Sequence, residues 1–378
     1  MKRALKILLI LFATVIVFAV GFVLTLQIFE YRPADTTSLE MDYSMDYLLS
    51  SQIKVVELDE TIKVLTFNTG YASLSETEDF VMDGGTKGRM DSLEEVEANM
   101  AGIASILERE AADIYLLQEV DTDSSRSYHT NQYLYYQEIL GTSSVLAYNY
   151  RCIFVPFPFD PSQMMGKVNS GIATYTDYVT NSATRIQLPG SFSWPLRLAN
   201  LKRALLITRY SIEDSDVELV VINVHLSAYD DGTMRIQETQ ALQDIMQEEY
   251  QAGNYVLVGG DFNQTFPEAV DVTYDSDSDT YTYDYLYALK DPSLWQAYPI
   301  DGDWFDANNF LFGIDTVTPT CRLLNQPYDS INLENNQYYV IDGFIVSANI
   351  TIQTVETLAE EFVYSDHNPV VIEILLNS

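Results

Sequence analysis

ELVVINVHLSA (residues 218–228) and YVLVGGDFN (residues 255–263) decide how this chain folds. Each opens on a short apolar run of the kind a buried strand carries. Between them, Met234–Tyr250 sets Leu242, Ile245 and Met246 at helical spacing on one inner face. A strand–helix–strand crossover returns the chain parallel to its start, so both strands finish at the same edge of the sheet. His225 follows the first strand, and Asp261 and Asn263 follow the second. The topology therefore brings these polar residues side by side, at the edge where sheets with helical crossovers place their active sites.

The pattern occurs once earlier. KVLTF (63–67) leads to a helix near Glu95–Glu110, with Met100, Ile103 and Leu107 on one face, and then to DIYLL (113–117). Asn68 follows the first of these strands, and Gln118 and Glu119 the second. Two further strands close the chain: Tyr339–Val346, which contains Asp342, and Val370–Leu375, directly preceded by Asp366 and His367. Residues 271–285 (DVTYDSDSDTYTYDY) read as an exposed acidic insertion.

Carboxylates, carboxamides and two of the three histidines thus sit at strand ends expected to converge. Charge there is hard to explain as packing, because a buried charge is costly unless paired or bound to metal. Oxygen-rich donors suit a hard cation such as Mg2+, with Mn2+ or Ca2+ as alternatives. Two histidines without neighbouring cysteines are too few for a structural zinc site. Singly, each motif is ordinary: Gly-Asp-x-Asn is a common turn and Ser-Asp-His a common cap. The ordered set NTG (68–70), LLQEVD (116–121), NSGIAT (169–174), NVHLSA (223–228), GGDFN (259–263), IDGF (341–344) and YSDHNPV (364–370) is not.

Over residues 61–376 this series resembles the endonuclease/exonuclease/phosphatase superfamily, the deoxyribonuclease-I-like fold. The resemblance implies an α+β fold: a four-layer α/β/β/α sandwich of two mainly antiparallel sheets. It implies metal binding by Glu119 with Asn68. It also implies that Asp261 and Asn263 activate water or hold the phosphate, and that His367, oriented by Asp342 or Asp366, contacts the scissile phosphate. His225 resembles a second histidine found in the deoxyribonuclease, sphingomyelinase and inositol-phosphatase branches. Gly70 departs from the pattern, which often has an acidic residue there. The residues after Asn263 depart from the inositol-phosphatase version. The chemistry agrees: a cation neutralises phosphoryl charge, and a histidine with an Asp partner moves a proton.

The N-terminus adds a location. Ile7 to Phe29 carries no charge and is long enough to span a bilayer. Lys2, Arg3 and Lys6 precede it, and acidic residues dominate beyond Arg32. The positive-inside rule then makes residues 1–6 a cytoplasmic tail, 7–29 a single-pass anchor, 30–60 a stalk, part of which packs on the domain, and 61–378 an extracellular catalytic domain. A cleavable signal peptide is the alternative, but no A-x-A-like site follows the apolar run.

The chain has 55 Asp+Glu against 20 Lys+Arg, a formal net charge of −35. Such a body repels polyanions, and nonspecific DNA affinity depends on Lys and Arg. Nucleic acid is therefore disfavoured as a partner, although the acidity also serves simply to keep an exported protein soluble. A phosphoester of a lipid headgroup or small molecule is the expected substrate. An extracellular nuclease and a non-catalytic surface module are the alternatives. Arg126 is the candidate substrate contact; Lys87, Arg89, Arg235 and Arg322 read as surface charges. Cys152 and Cys321 read as reduced, buried thiols.

Overall fold

The computed structural model describes residues 2–50, 54–230, 232–275, 280–285 and 294–378. Two seven-stranded sheets form its body. In order across the first lie Thr36–Leu39, Thr180–Gln187, Ala204–Ser211, Glu218–His225, Tyr255–Asp261, Asp342–Ser347 and Phe310–Gly313. Across the second lie Ile350–Thr357, Val370–Leu376, Thr61–Asn68, Ile114–Asp121, Gly166–Thr176, Ser143–Val155 and Asp42–Tyr43. Most neighbours are antiparallel. The parallel ladders are Glu218–His225 with Tyr255–Asp261 and Thr61–Asn68 with Ile114–Asp121, the two crossover pairs read from the sequence.

The pleat sorts each strand's side chains into two layers. Ile62, Val64, Ile114, Leu116, Leu219, Val221 and Leu257 point between the sheets and make the central core. Leu65, Phe67, Tyr115 and Leu117 point the other way, under helices Leu93–Glu110 and Gln132–Leu140. Val220, Ile222, Val256 and Val258 likewise pack under Leu242 and Met246 of helix Thr233–Gln251. This is the expected four-layer α/β/β/α sandwich.

Some boundaries differ from expectation. Asp342 opens its strand rather than lying within it, because Tyr338–Tyr339 forms a separate ladder with Cys321–Arg322. Residues 30–60 supply an edge strand to each sheet, and Val56 is fully buried. Val270–Asp275 and Thr280–Tyr285 pair as an antiparallel ribbon outside both sheets, while the exposure expected for 271–285 concerns side chains outside those described. Helix Lys2–Ile28 has a mean hydropathy of 3.1 in its most apolar stretch and is the one membrane-span candidate among the described residues. Cys152 and Cys321 are unpaired and buried.

Candidate active site

The sheets deliver the site at one end of their parallel ladders. Asp261 is in register with His225 on one side and Asp342 on the other. In the second sheet Asn68 is in register with Gln118, the residue before Glu119. Beneath them a buried polar network joins the sheets: Gln118 Nε2 donates to Thr66 Oγ1 at 3.1 Å and to Asn223 Oδ1 at 2.9 Å, and Asn223 Nδ2 donates to the Ala173 carbonyl at 2.9 Å. Although Gln118 Oε1 finds no partner among the described residues, these bonds fix how the two strand ends face one another.

Local backbone then aims the side chains. Between Leu117 and Val120 the ladder to Gly166–Thr176 slips by one residue, and Glu119 takes φ +57°. A bulge of this kind turns a side chain that would follow the pleat. Asn263 has φ +50°; its N–H donates to Asp261 Oδ1 at 2.8 Å, and its Nδ2 donates to the Leu226 carbonyl at 2.8 Å. Gly70 explains the departure noted in its motif. Its φ is +51°, and a Cβ there would lie 3.0 Å from Asp366 Oδ1 and 3.1 Å from Ser365 Oγ. A side chain there would be strained by that φ, would crowd these neighbours, and if acidic would set a second carboxylate beside Asp366.

His367 is held from behind. Its Nδ1 shares a 2.8 Å hydrogen bond with Asp342 Oδ2, leaving Nε2 3.8 Å from Asp261 Oδ2 and 3.4 Å from Asn68 Nδ2. Asn68 Nδ2 also donates to Asp261 Oδ2 at 2.9 Å. His225 Nε2 lies 3.5 Å from the same Asp261 oxygen and 4.0 Å from Glu119 Oε1. Asp261 therefore stands between two buried imidazoles.

The electrostatics push those imidazoles apart. Burial alone would lower His367, but the acidic groups around it, Asp342 first and Asp366 with it, outweigh burial and hold the ring well above its ordinary value. His225 is driven well below its ordinary value by burial, reinforced by Arg203, His367 and Arg126. One ring is thus a cation and the other neutral near pH 7, the arrangement that divides acid from base. Burial raises Glu119 against the pull of Arg126, His367 and Arg203, raises Asp261 together with Asp342, and pushes Asp366 up to about 7.

Four carboxylates, the buried Asp261, Asp342 and Asp366 and the half-buried Glu119, lie in one place, a concentration of negative charge that suits a cation. Glu119 Oε2 is sealed from solvent and makes no hydrogen bond among the described residues. This oxygen, with the Asn68 carboxamide nearby, is a hard donor set that fits Mg2+, Mn2+ or Ca2+. Among the described residues two further groupings exist, Asp261–Asp342–His367 and Cys321–Asp366–His367, each with donor atoms within 4.8 Å of one another. Both share His367, whose Nδ1 is bonded to Asp342 while its Nε2 stays open, 3.8 Å from Asp261 Oδ2 and 3.9 Å from Asp366 Oδ2.

All nine expected site residues, Asn68, Glu119, Arg126, His225, Asp261, Asn263, Asp342, Asp366 and His367, are at this end of the sandwich, and all but Asp342 line one cavity of about 600 Å³. Arg126 differs from expectation in its partners. It is buried, makes a two-point hydrogen bond to Asp121 at 3.1 and 2.9 Å, and lies 3.5 Å over the Tyr71 ring. Arg235 and Arg322 are not surface charges: Arg235 is buried on Asp230, and Arg322 donates to the Ser75 and Glu78 carbonyls. The cation that sequence reasoning missed is Arg203. It lines the cavity, and its Nη1 is sealed with no hydrogen-bond partner among the described residues. Burial lowers its pKa against Glu238, Asp261 and Glu119. Nothing in LKRALL marks it; its position at the start of a strand beside Glu218–His225 does.

Comparison with known proteins agrees with the fold. The sequence pattern of the "Endonuclease/Exonuclease/phosphatase family" matches residues 90–367. No curated protein matches the chain. Among solved structures, an endonuclease/exonuclease/phosphatase from Beutenbergia cavernae is similar with a TM-score of 0.56 at 16% identity, over 84% of this chain and 72% of that one. An endonuclease/exonuclease/phosphatase from Bacteroides vulgatus follows with a TM-score of 0.51 at 16% identity, over 84% and 100%. A family protein from Leptotrichia buccalis gives 0.50 at 14% identity, over 83% and 99%.

Proposed function

Because the chain belongs to the endonuclease/exonuclease/phosphatase family, whose members include nucleases and phosphatases, we propose that it is a divalent-metal-dependent phosphodiesterase. Its substrate is a phosphodiester of a lipid headgroup or small molecule at the outer membrane face. The observation that carries this reading is the pair of buried histidines facing one carboxylate, with His367 held as a cation by Asp342 and His225 kept neutral.

Asp261 orients a water for attack on phosphorus and takes its proton. Asn263, anchored to Asp261 and to the Leu226 carbonyl, fixes the turn that presents it. His367 donates the Nε2 proton to the leaving oxygen, and Asp342 keeps the ring in the right orientation. His225 and Arg203 offer N–H groups to the phosphoryl oxygens. Glu119 and Asn68 would hold the cation, which when bound supplies Lewis-acid neutralisation of the charge on phosphorus. Helix Lys2–Ile28, placed in the bilayer with the basic N-terminus inside, keeps the domain at the outer surface.

The test uses the full chain in detergent micelles, since residues 36–43 belong to the sheets. Bis(4-nitrophenyl) phosphate, phospholipids and plasmid DNA are offered with Mg2+ and then with EDTA, with His367→Ala as control. Diester turnover lost with EDTA and with the variant is the expected result. Preferential DNA cleavage would make the protein a nuclease. Turnover that survives His367→Ala would defeat the assignment.

A further inference from the structure

The cavity does not end at the histidines. Its far wall is the last turns of the apolar N-terminal helix, where Phe22, Val23 and Leu26 meet Val155, Phe157 and Leu196. Leu26 is buried against Tyr150, Val155, Met165 and Leu198. Phe22 meets Phe154 edge-on, with ring centroids 6.1 Å apart. The helix and the catalytic cavity therefore share one surface.

Around this junction the domain exposes large apolar side chains: Phe159 at 83%, Leu196 at 61% and Trp194 at 59%. The Trp194 indole donates to Gln27 Oε1 of the helix at 3.1 Å. A cation-rich collar lies beside them. Arg32, Arg197 and Lys202 gather on the single Glu30 carboxylate at 2.9, 3.4 and 3.5 Å, and Arg151 lies 5.3 Å over the Tyr31 ring. In a chain of net charge −35 this clustering is unusual. Cations beside an apolar ring with a tryptophan at the boundary match the order of headgroup phosphates over acyl chains.

Helix length sets the depth. Counted from Ile7, about 20 residues cover the roughly 30 Å hydrocarbon core, which brings the outer boundary to the neighbourhood of Leu26. The apolar mouth of the cavity then lies where acyl chains meet headgroups.

We propose that the substrate is a phosphoester lipid drawn directly from the outer leaflet. Its phosphate reaches His225, His367 and Arg203, its hydrocarbon lies beside Phe22, Val23 and Leu26, and Phe159, Trp194 and Leu196 dip into the bilayer around the mouth. The inference rests on the phosphoesterase reading above and on Lys2–Ile28 crossing the bilayer. The chemistry is simple hydrolysis. The water oxygen bonds to phosphorus as the bond to the leaving oxygen breaks; one proton leaves to Asp261 and one arrives from His367.

The test compares two substrates of the full-length protein. In detergent micelles it is given bis(4-nitrophenyl) phosphate. In phosphatidylcholine vesicles it is given the host lipid and, in turn, sphingomyelin, phosphatidylglycerol, phosphatidylinositol and phosphatidic acid. Trp194→Asp, outside the cavity lining, should leave diester turnover within about twofold and cut lipid turnover by roughly tenfold or more. Trp194 emission should be quenched by vesicles brominated in their acyl chains, and that quenching should vanish in Trp194→Phe. Diester turnover without turnover of any of these lipids overturns the proposal and leaves the phosphodiesterase standing. Turnover of neither substrate overturns both. An equal loss on both substrates in Trp194→Asp, or no quenching, assigns the rim a structural role and overturns the proposal.

Discussion

Gly260→Ala is the substitution whose consequences the geometry specifies most closely. Gly260 has φ +151°, and a Cβ on it would sit 2.1 Å from the Val224 carbonyl oxygen and 2.8 Å from Val224 Cγ2. Val224 is its register partner in the parallel ladder. A carbon needs about 3.3 Å from a carbonyl oxygen, so the two strands must separate by about 1 Å. The disfavoured φ costs about 1–3 kcal/mol and the overpacking about 1–3 kcal/mol. A loss of about 2–6 kcal/mol is a large share of the roughly 5–15 kcal/mol that holds a domain folded. Asp261 and His225 are the next residues along each strand, and a displacement near 1 Å costs on the order of 10²-fold in turnover. Gly253→Ala isolates the backbone term. Its φ is +92°, but its Cβ would meet only Val217 Cγ1 at 3.5 Å. It should lose about 1–2 kcal/mol and keep its activity. Thermal unfolding by circular dichroism and diester turnover, both in micelles, give the two readouts. Equal stability and equal activity in the two variants would refute the reasoning.

Other consequences follow from the site. Asp342→Asn removes the largest of the charges that together offset burial at His367, so turnover at neutral pH should fall on the order of 10²–10³-fold, with recovery toward lower pH as the ring regains its proton; an unchanged pH profile would remove His367 as the acid. Arg203→Ala should raise KM more than it lowers kcat, by about tenfold, measured on the soluble diester; an unchanged KM would remove Arg203 from phosphate binding. Asp366, raised to about 7 by burial, holds a proton that the unfolded chain has already lost, so its stabilising contribution is present at low pH and disappears as pH rises through about 7. A cation held by Glu119 and Asn68 is favoured once the neighbouring Asp366 loses that proton, so the rise in melting temperature on adding Mg2+ should grow between about pH 5 and pH 8; a flat response would argue against a cation at Glu119. Glu119→Ala should lose most of that Mg2+ response.

Much of the architecture was legible because it depends on local repetition. The apolar runs and helical spacings around 63–117 and 218–258 identify both crossover units, and a right-handed crossover leaves little choice about where their ends meet. The residues placed after those strands, from Asn68 to Asp261, lie together for that reason. His367 and Asp342 belong to the same end because the last strands pair back onto these two ladders.

The partners of each side chain were another matter. Arg126 follows the Glu119 motif closely, yet its guanidinium is committed to Asp121 and Tyr71. Arg203 has no motif and reaches the cavity only because its strand lies beside Glu218–His225. Residues 30–60 look like a polar stalk, but their backbone closes an edge of each sheet, a pairing whose hydrogen bonds carry no mark in the side chains. Composition and periodicity determined the two crossover units, their ends and the apolar N-terminal helix, since burial and helical repeat act over a few residues at a time, while the four layers were implied by the family resemblance. Which cation faces the cavity, what a side chain at Gly70 would crowd, and how the helix comes to wall the site depend on contacts between residues far apart in the chain, and only the tertiary structure decides those.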